Sequence, residues 1–445
     1  MRRAVRDRPA LVSPANFRLG SPQTDMTLAT QLHWIPLAIF LLTYGLIAIE
    51  SNLGWHLDRT ATAFCGAVAM VLAGSVRPAD AAQAIDWGTI VFLLGMMILV
   101  AHFQVSGFFG WVAASVARVA RTRFQLLALI VFTSGILSAF FVNDTICLIF
   151  APLVLSVTEE LDLPLAPYAI ALAMAANIGS AMSVTGNPQN ALVGVSAHFT
   201  FLYFLGHLAP VSLVGLGLEL AILALVYRHQ IFGPLPKAPA PAAGPIDRTL
   251  LAKCGVAAAL VVVLWAMGYS FPLVAISAAA VMMVLGRVPS RKIHPGVDWE
   301  LLLFFASLFV VIRGLAASGV VGRMVEVFEP WLGGGAVGQL FGVSGAMLVL
   351  SNVVSNVPAV LLFRPLVPAF PHTRFVWLTL ACTATLAGNA TPFGSVASLI
   401  VLQHTKSRGG VAFGEFVRVG LLVTLVTTAA AMAILAAEYS LLPHP

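Results

Sequence analysis

The chain reads as an all-α polytopic membrane protein. It is built as two inverted-topology repeats, each with about five crossings, a re-entrant helical hairpin and a broken helix. Three observations predict this. First, 59% of the 445 residues are hydrophobic and only 9% charged, with a mean hydropathy of +0.95, too little charge to cover a soluble domain of this length. Second, apolar runs near the length of a bilayer crossing recur along the chain without the strand alternation of an outer-membrane barrel. Third, the series of runs restarts halfway.

The runs fall at about 32–50, 60–76, 87–103, 124–142, 145–158, 166–199 and 201–228, and again at 250–268, 271–287, 299–317, 338–352, 357–370, 375–404 and 414–437. The expected organisation is a disordered leader (1–31), a first repeat (32–228), a linker rich in Pro and Ala (229–249), a second repeat (250–437) and a short tail (438–445). The repeats match in residues as well. "DWGTIVFLL" from Asp86 aligns with "DWELLLFFA" from Asp298, and "SGFFG" (106–110) with "SGVVG" (318–322). "APLV" (151–154) aligns with "RPLV" (364–367), which sets Asn143 opposite Asn356, and "GNPQNALV" (186–193) aligns with "GSVASLIV" (394–401). Internal symmetry of this kind marks secondary transporters.

In each half, three ordinary crossings precede a two-armed segment and two further crossings. The two-armed segment crosses twice or not at all, so each half crosses an odd number of times and the second half is inverted. Lys and Arg then set the orientation. Arg59, Arg118, Arg121, Arg123, Arg228, Lys237, Arg248, Lys253, Arg287, Arg291, Lys292, Lys406, Arg408 and Arg418 collect on one side, while the other holds Arg77, Arg323 and Arg374, with Arg313 and Arg364 inside apolar runs. The basic side, linker included, is read as cytoplasmic, in an inner (plasma) membrane, with the C-terminus outside. The formal charge of +6 reports this orientation, not nucleic-acid binding. Five arginines in the leader oppose an outward N-terminus; a start at Met26 removes the conflict.

Two kinds of segment break helix rules. Residues 166–199 would make a helix about 50 Å long against a hydrocarbon core of about 30 Å, and their middle reads "NIGSAMSVTGNPQN". The second half repeats this as "TATLAGNATPFGS" (383–395). Freed backbone groups at that depth are tolerated only around a cavity or a protein-lined site. The arms after Asp144 and after Asn356 are each about 14 residues, short of a perpendicular crossing, which favours re-entrant hairpins with tips at "VNDT" (142–145) and "LSNVVSN" (350–356). Four polar breaks thus converge near the midplane, where helix N-termini suit anions and freed carbonyl and amide oxygens suit Na⁺ or a proton carrier.

Asp144 is the one carboxylate in the hairpin and the candidate for coupling, with helix capping as the bland alternative. Asn143, Thr145, Asn187, Asn190, Ser355, Asn356, Asn389, Thr391 and Ser395 are the candidate polar lining, and Gly179, Gly186, Gly388 and Gly394 the backbone breaks. Arg364 is read as a candidate either for drawing an anion or for pairing with a carboxylate such as Glu219. No Cys/His spacing suggests a metal site, leaving a Na⁺ site near Asn143 and Asn356 as the one metal candidate, and no cofactor is expected.

"SGFFGWVAASVAR", "LSAFFVNDTICLIFAPLV", "SNVVSNVPAVLL" and "GNATPFGSVASLIV" resemble the ion transporter superfamily of arsenite permeases, citrate and dicarboxylate symporters, and sodium/proton antiporters. The resemblance covers about 32–437. It implies a scaffold domain, a transport domain carrying two re-entrant hairpins, a homodimer and an elevator-like displacement. The tips read Val142-Asn143-Asp144-Thr145 and Val354-Ser355-Asn356-Val357, unlike the Ser-Asn-Thr tips of the dicarboxylate symporters.

The function expected is secondary transport of a small anion or oxyanion, arsenite-like or another, coupled to H⁺ or Na⁺. The partners are the bilayer and the anion, with a peripheral ATPase left open because the chain lacks a Walker A motif. The alternatives are a sodium/proton antiporter on the same fold and, from another class, a membrane-embedded enzyme, for which clustered intramembrane acids or a Ser/His pair are wanting.

Overall fold

A computed structural model describes residues 34–49, 58–235, 244–320, 322, 323, 326 and 335–441. The leader with Met26, the Pro/Ala middle of the linker (236–243) and residues 442–445 of the tail lie outside the described residues. The first half contributes α1 (Trp34–Ile49), α2 (Arg59–Leu72), α3 (Pro78–Ala84), α4 (Trp87–Val105), α5 (Phe108–Val119), α6 (Arg123–Phe140), α7 (Asn143–Glu160), α8 (Leu165–Ser180), α9 (Pro188–Ser196), α10 (Phe201–Val226) and α11 (Arg228–Ile231). The second contributes α12 (Arg248–Ala266), α13 (Phe271–Leu285), α14 (Ser290–Ile293), α15 (Trp299–Ala317), α16 (Gly335–Val354), α17 (Asn356–Phe363), α18 (Thr373–Ala387), α19 (Val396–Thr405) and α20 (Phe413–Leu441).

This is an all-α polytopic membrane protein. Among the described residues, seven helices are long and apolar enough to cross a membrane: α4, α6, α10, α12, α15, α16 and α20. Their starts are written in the sequence as caps. The Asp86 carboxylate accepts from the Thr89 N–H (3.1 Å) and that of Asp298 from Leu301 (2.8 Å). The two caps share one backbone geometry, φ −77° and ψ 85° at Asp86 against φ −81° and ψ 85° at Asp298. Matched residues therefore make matched structure. Asp247 and Thr122 cap α12 and α6 in the same manner.

The packing is symmetric in the same sense. α4 of the first half lies on α13 of the second, and α15 of the second lies on α2 of the first. α6 packs on α8 as α16 packs on α18, and α10 meets its counterpart α20 directly. One group of helices (α1, α2, α4, α12, α13, α15) is thus formed by exchange between the halves. The other is centred on α8 and α18. In α8 every residue from Pro167 to Ser180 is buried, and α18 is buried along nearly its whole length from Phe375, as a helix apolar on all faces must be.

The breaks fall where expected. α8 ends at Ser180 and α9 begins at Pro188; α18 ends at Ala387 and α19 begins at Val396. One expectation is corrected. The first short arm is α7, 18 residues rather than about 14, because the helix already includes Asn143 and Asp144 and runs on through Glu159 and Glu160. The second arm does have 14 residues, eight α-helical and then six of 3₁₀ helix, Arg364–Ala369, where Pro365 and Pro368 remove amide donors. Before the first hairpin, α5 starts at Phe108 and stops at Val119 with Arg118 in its last turn. Gly179, Gly186, Gly388 and Gly394 lie at or within the two breaks, and none has positive φ. They permit close approach: a side chain at Gly179 would collide with the Gly135 backbone of α6, and one at Gly186 with the Ser180 carbonyl.

Candidate functional site

The polar core begins with the two breaks. Where α8 stops, its last carbonyls lose their helical donors, and Asn190 of α9 replaces them. Its side-chain amide donates to the carbonyls of Ser180 (3.1 Å), Ala181 (3.3 Å) and Ser183 (3.0 Å). Asn187 caps α9 by accepting from the Asn190 N–H (2.8 Å), and its amide donates to the hydroxyls of Ser180 (2.9 Å) and Thr385 (3.1 Å). The second break is served by the second tip. Oriented to donate, the Asn356 amide reaches the carbonyls of Ala384 (2.8 Å) and Gly394 (3.0 Å). Asn352 donates to the Ala387 carbonyl and accepts from Thr391 (3.0 Å), which itself caps the turn at Gly394.

Asn177 joins these parts. Its Oδ1 accepts from the Asn143 amide (3.0 Å) and the Ser395 hydroxyl (2.9 Å), while its own amide donates to Asn389 Oδ1 (2.9 Å). Asn177 and Asn389 stand 212 positions apart, so one residue from the last turn of α8 and one just past the end of α18 join the two halves in a single hydrogen bond. The first tip is fixed to its break by the Asn143 N–H, which donates to the Gly186 carbonyl (3.0 Å). Beside it Phe141 packs edge-on against Phe103 of α4 and Phe109 of α5.

Between the tips lies a pocket lined by Arg59, Asn143, Asp144, Pro188, Gln189, Leu301, Phe304, Ser355, Asn356, Val357, Pro358, Ser395 and Val396. It holds about 30 Å³ of water-accessible space, room for roughly two waters or a small ion. Four helices begin on it: α7 with Asn143 and Asp144, α9 with Pro188 and Gln189, α17 with Asn356, Val357 and Pro358, and α19 with Val396. Each turns the positive end of its dipole toward the pocket. The facing wall is the start of α2 and the first turns of α15. There the Arg59 guanidinium lies over the Phe304 ring, 5.7 Å from its centroid.

Of the residues expected from the sequence, Asn143, Asp144, Ser355, Asn356 and Ser395 line this pocket. Asn187, Asn190, Asn389 and Thr391 lie behind it in the hydrogen-bond network, and Thr145 lies one residue past the lining. Arg364 does not reach the pocket. Its guanidinium pairs with Asp86 (3.1 Å) and lies over Phe309. Its carboxylate partner is therefore Asp86, not Glu219, which is buried in α10.

Three residues escaped sequence reasoning. Asn177 opens the "NIGSAMSVTGNPQN" stretch, and an amide at the end of a long apolar run was a readable signal. Gln189, whose amide donates to Thr385 (3.1 Å), sits within the same stretch. Arg59 carries no local signal, since an arginine at a helix start reads as an orientation marker.

Two internal copies, spanning helices and an interior polar pocket walled by helix ends define a membrane transporter. The chain belongs to the citrate transporter family, whose model matches residues 44–378; it is accordingly a transporter and not an enzyme. The 46 kDa membrane protein of Mycobacterium leprae (strain TN) is 31% identical to it, with 89% of this chain and 96% of that protein covered. The silicon efflux transporter LSI3 of Oryza sativa subsp. japonica is 27% identical, with 84% and 91% covered. The crystal structure of the Alcanivorax borkumensis YdaH transporter shares the fold at a TM-score of 0.56 and 16% identity, covering 92% of this chain and 97% of that one.

Proposed function

We propose that the protein is a secondary active transporter of a small anion or oxyanion, coupled to H⁺ or Na⁺, with its substrate site in the pocket between the two tips. The observation that carries this reading is the convergence of four helix N-termini and Arg59 on one pocket, an arrangement that favours negative charge. Asp144 and the Asn143 Oδ1, which has no hydrogen-bond donor, supply oxygen ligands for the coupling cation. The symmetric packing supports two inverted repeats, with α6–α7 and α16–α17 as re-entrant hairpins. Arg59 at the start of α2 and the Arg291–Lys292 pair that precedes α15 support a pocket that faces the cytoplasm in this state. On that reading the linker is cytoplasmic, the C-terminus is outside, and the α8/α18 group slides against the other group as an elevator within a homodimer.

Proteoliposomes test this. Imposed H⁺ and Na⁺ gradients are expected to drive accumulation of at least one of labelled phosphate, arsenite or citrate. Asp144→Asn, correctly folded, is expected to abolish gradient-driven accumulation. Dye-reported Na⁺/H⁺ exchange without flux of any of these solutes would sink the reading in favour of an antiporter.

A further inference from the structure

Resting on the pocket as the substrate site, the geometry points to Arg59 as the residue that selects anions. It further assigns the Asp144 carboxylate and the substrate as competitors for that one guanidinium. Arg59 is the only cation lining the pocket among the described residues, and Asp144 the only carboxylate. They come from opposite walls, α2 and α7, and stand too far apart for an ion pair, since the described ion pairs within 4 Å include neither residue. The Arg59 guanidinium lies over the Phe304 ring and lines the pocket, where its N–H groups can donate to an anion that enters.

The charge inventory then decides the linkage. The charged groups acting on Asp144 are Arg59 and Asp298, and the other titratable group beside it is Cys147, one turn along α7. Asp298 is already engaged as the cap of α15. An anion entering beside an ionised Asp144 therefore puts two negative charges on a single arginine, at a depth where charge interactions are strong. Neutralising Asp144 with a proton or Na⁺ frees the guanidinium for the anion. Cation and anion then strengthen each other's binding reciprocally.

The test is binding of sulfate and of nitrate to the detergent-solubilised protein, followed by thermal stabilisation. These anions keep constant charge between pH 5.5 and 8, so a change in binding across that range reports on the protein and not on the ligand. One series lowers pH without Na⁺ and the other adds Na⁺ at pH 8, which tells the two cations apart. Wild-type affinity is expected to rise in one of the series. Arg59→Gln is expected to weaken binding about 10- to 100-fold, the worth of one charge-assisted hydrogen bond, with partial recovery in Arg59→Lys. Asp144→Asn is expected to bind at pH 8 as tightly as the wild type does with its cation, and with no dependence on pH or Na⁺.

Wild-type protein that binds neither anion, Arg59→Gln that binds like wild type, or Asp144→Asn that binds more weakly overturns the assignment. Binding is read on solubilised protein and flux in vesicles, so failure of one is separable from failure of the other.

Discussion

Ser355 stands at φ 71° and ψ 163°, a region that residues with a side chain enter at a cost of about 1–3 kcal/mol. Its counterpart in the first tip, Val142, has ordinary backbone at φ −52° and ψ 127°. The strained residue is the one that lines the pocket. The strain turns the chain so that Asn356, the next residue, can start α17 and supply the carbonyls of the second break. Ser355→Gly is therefore expected to be more stable than Ser355→Ala by about 1–2 kcal/mol in thermal unfolding, since glycine relieves the strain and alanine keeps it, less the extra entropy that glycine loses on folding. An alanine variant as stable as the glycine one refutes this account. No feature of the sequence announces a positive φ at a serine. The neighbouring polar positions were legible because Asn and Ser in an apolar run stand out, whereas Arg59 reached the pocket only through the packing of α2 on α15.

At the scale of elements, the broken helices were legible to within a few residues because a long apolar run interrupted by Gly, Pro and Asn has few other outcomes. Their internal roles were less so. The glycines at the breaks are points of close approach, and the asparagines read as lining divide between the pocket and the repair of helix ends. Asn190 shows the division most clearly, since one buried amide donates to three carbonyls at and just past the end of α8. Asn190→Ala is expected to lower stability by about 1–3 kcal/mol, the cost of leaving buried acceptors unpaired, while anion affinity falls less than in Arg59→Gln. Stability equal to wild type in thermal unfolding shows that the break is held by Asn187 and Gly186 alone. The length of α7 was misread for a different reason: Val157–Glu160 carries two glutamates, which end an apolar run without ending a helix.

At the scale of the molecule, the two groups of helices meet through apolar contacts such as Phe103 on Phe141 and through a few polar ones. One is the pair between Asp86, at the start of α4, and Arg364, between α17 and α18. Asp86 has two tasks here: one oxygen caps α4 through Thr89 and the other holds Arg364. That explains why the same aspartate looks purely structural when only its own helix is read. If the α8/α18 group slides during transport, as proposed, this pair must separate, because a displacement of a few ångströms exceeds the reach of an ion pair. Cysteines at 86 and 364, joined by a short thiol-specific cross-linker, are thus expected to hold the protein in the present state and stop flux. The exposed Cys65 must first be replaced by serine, whereas Cys147, Cys254 and Cys382 are buried. A reducible linker separates arrest from damage, since flux is expected to return when the bridge is cleaved. Each single-cysteine variant treated in the same way controls for losing the ion pair. Full transport through the bridged protein means that these two helix groups move as one body, and alternating access must then come from the tips alone.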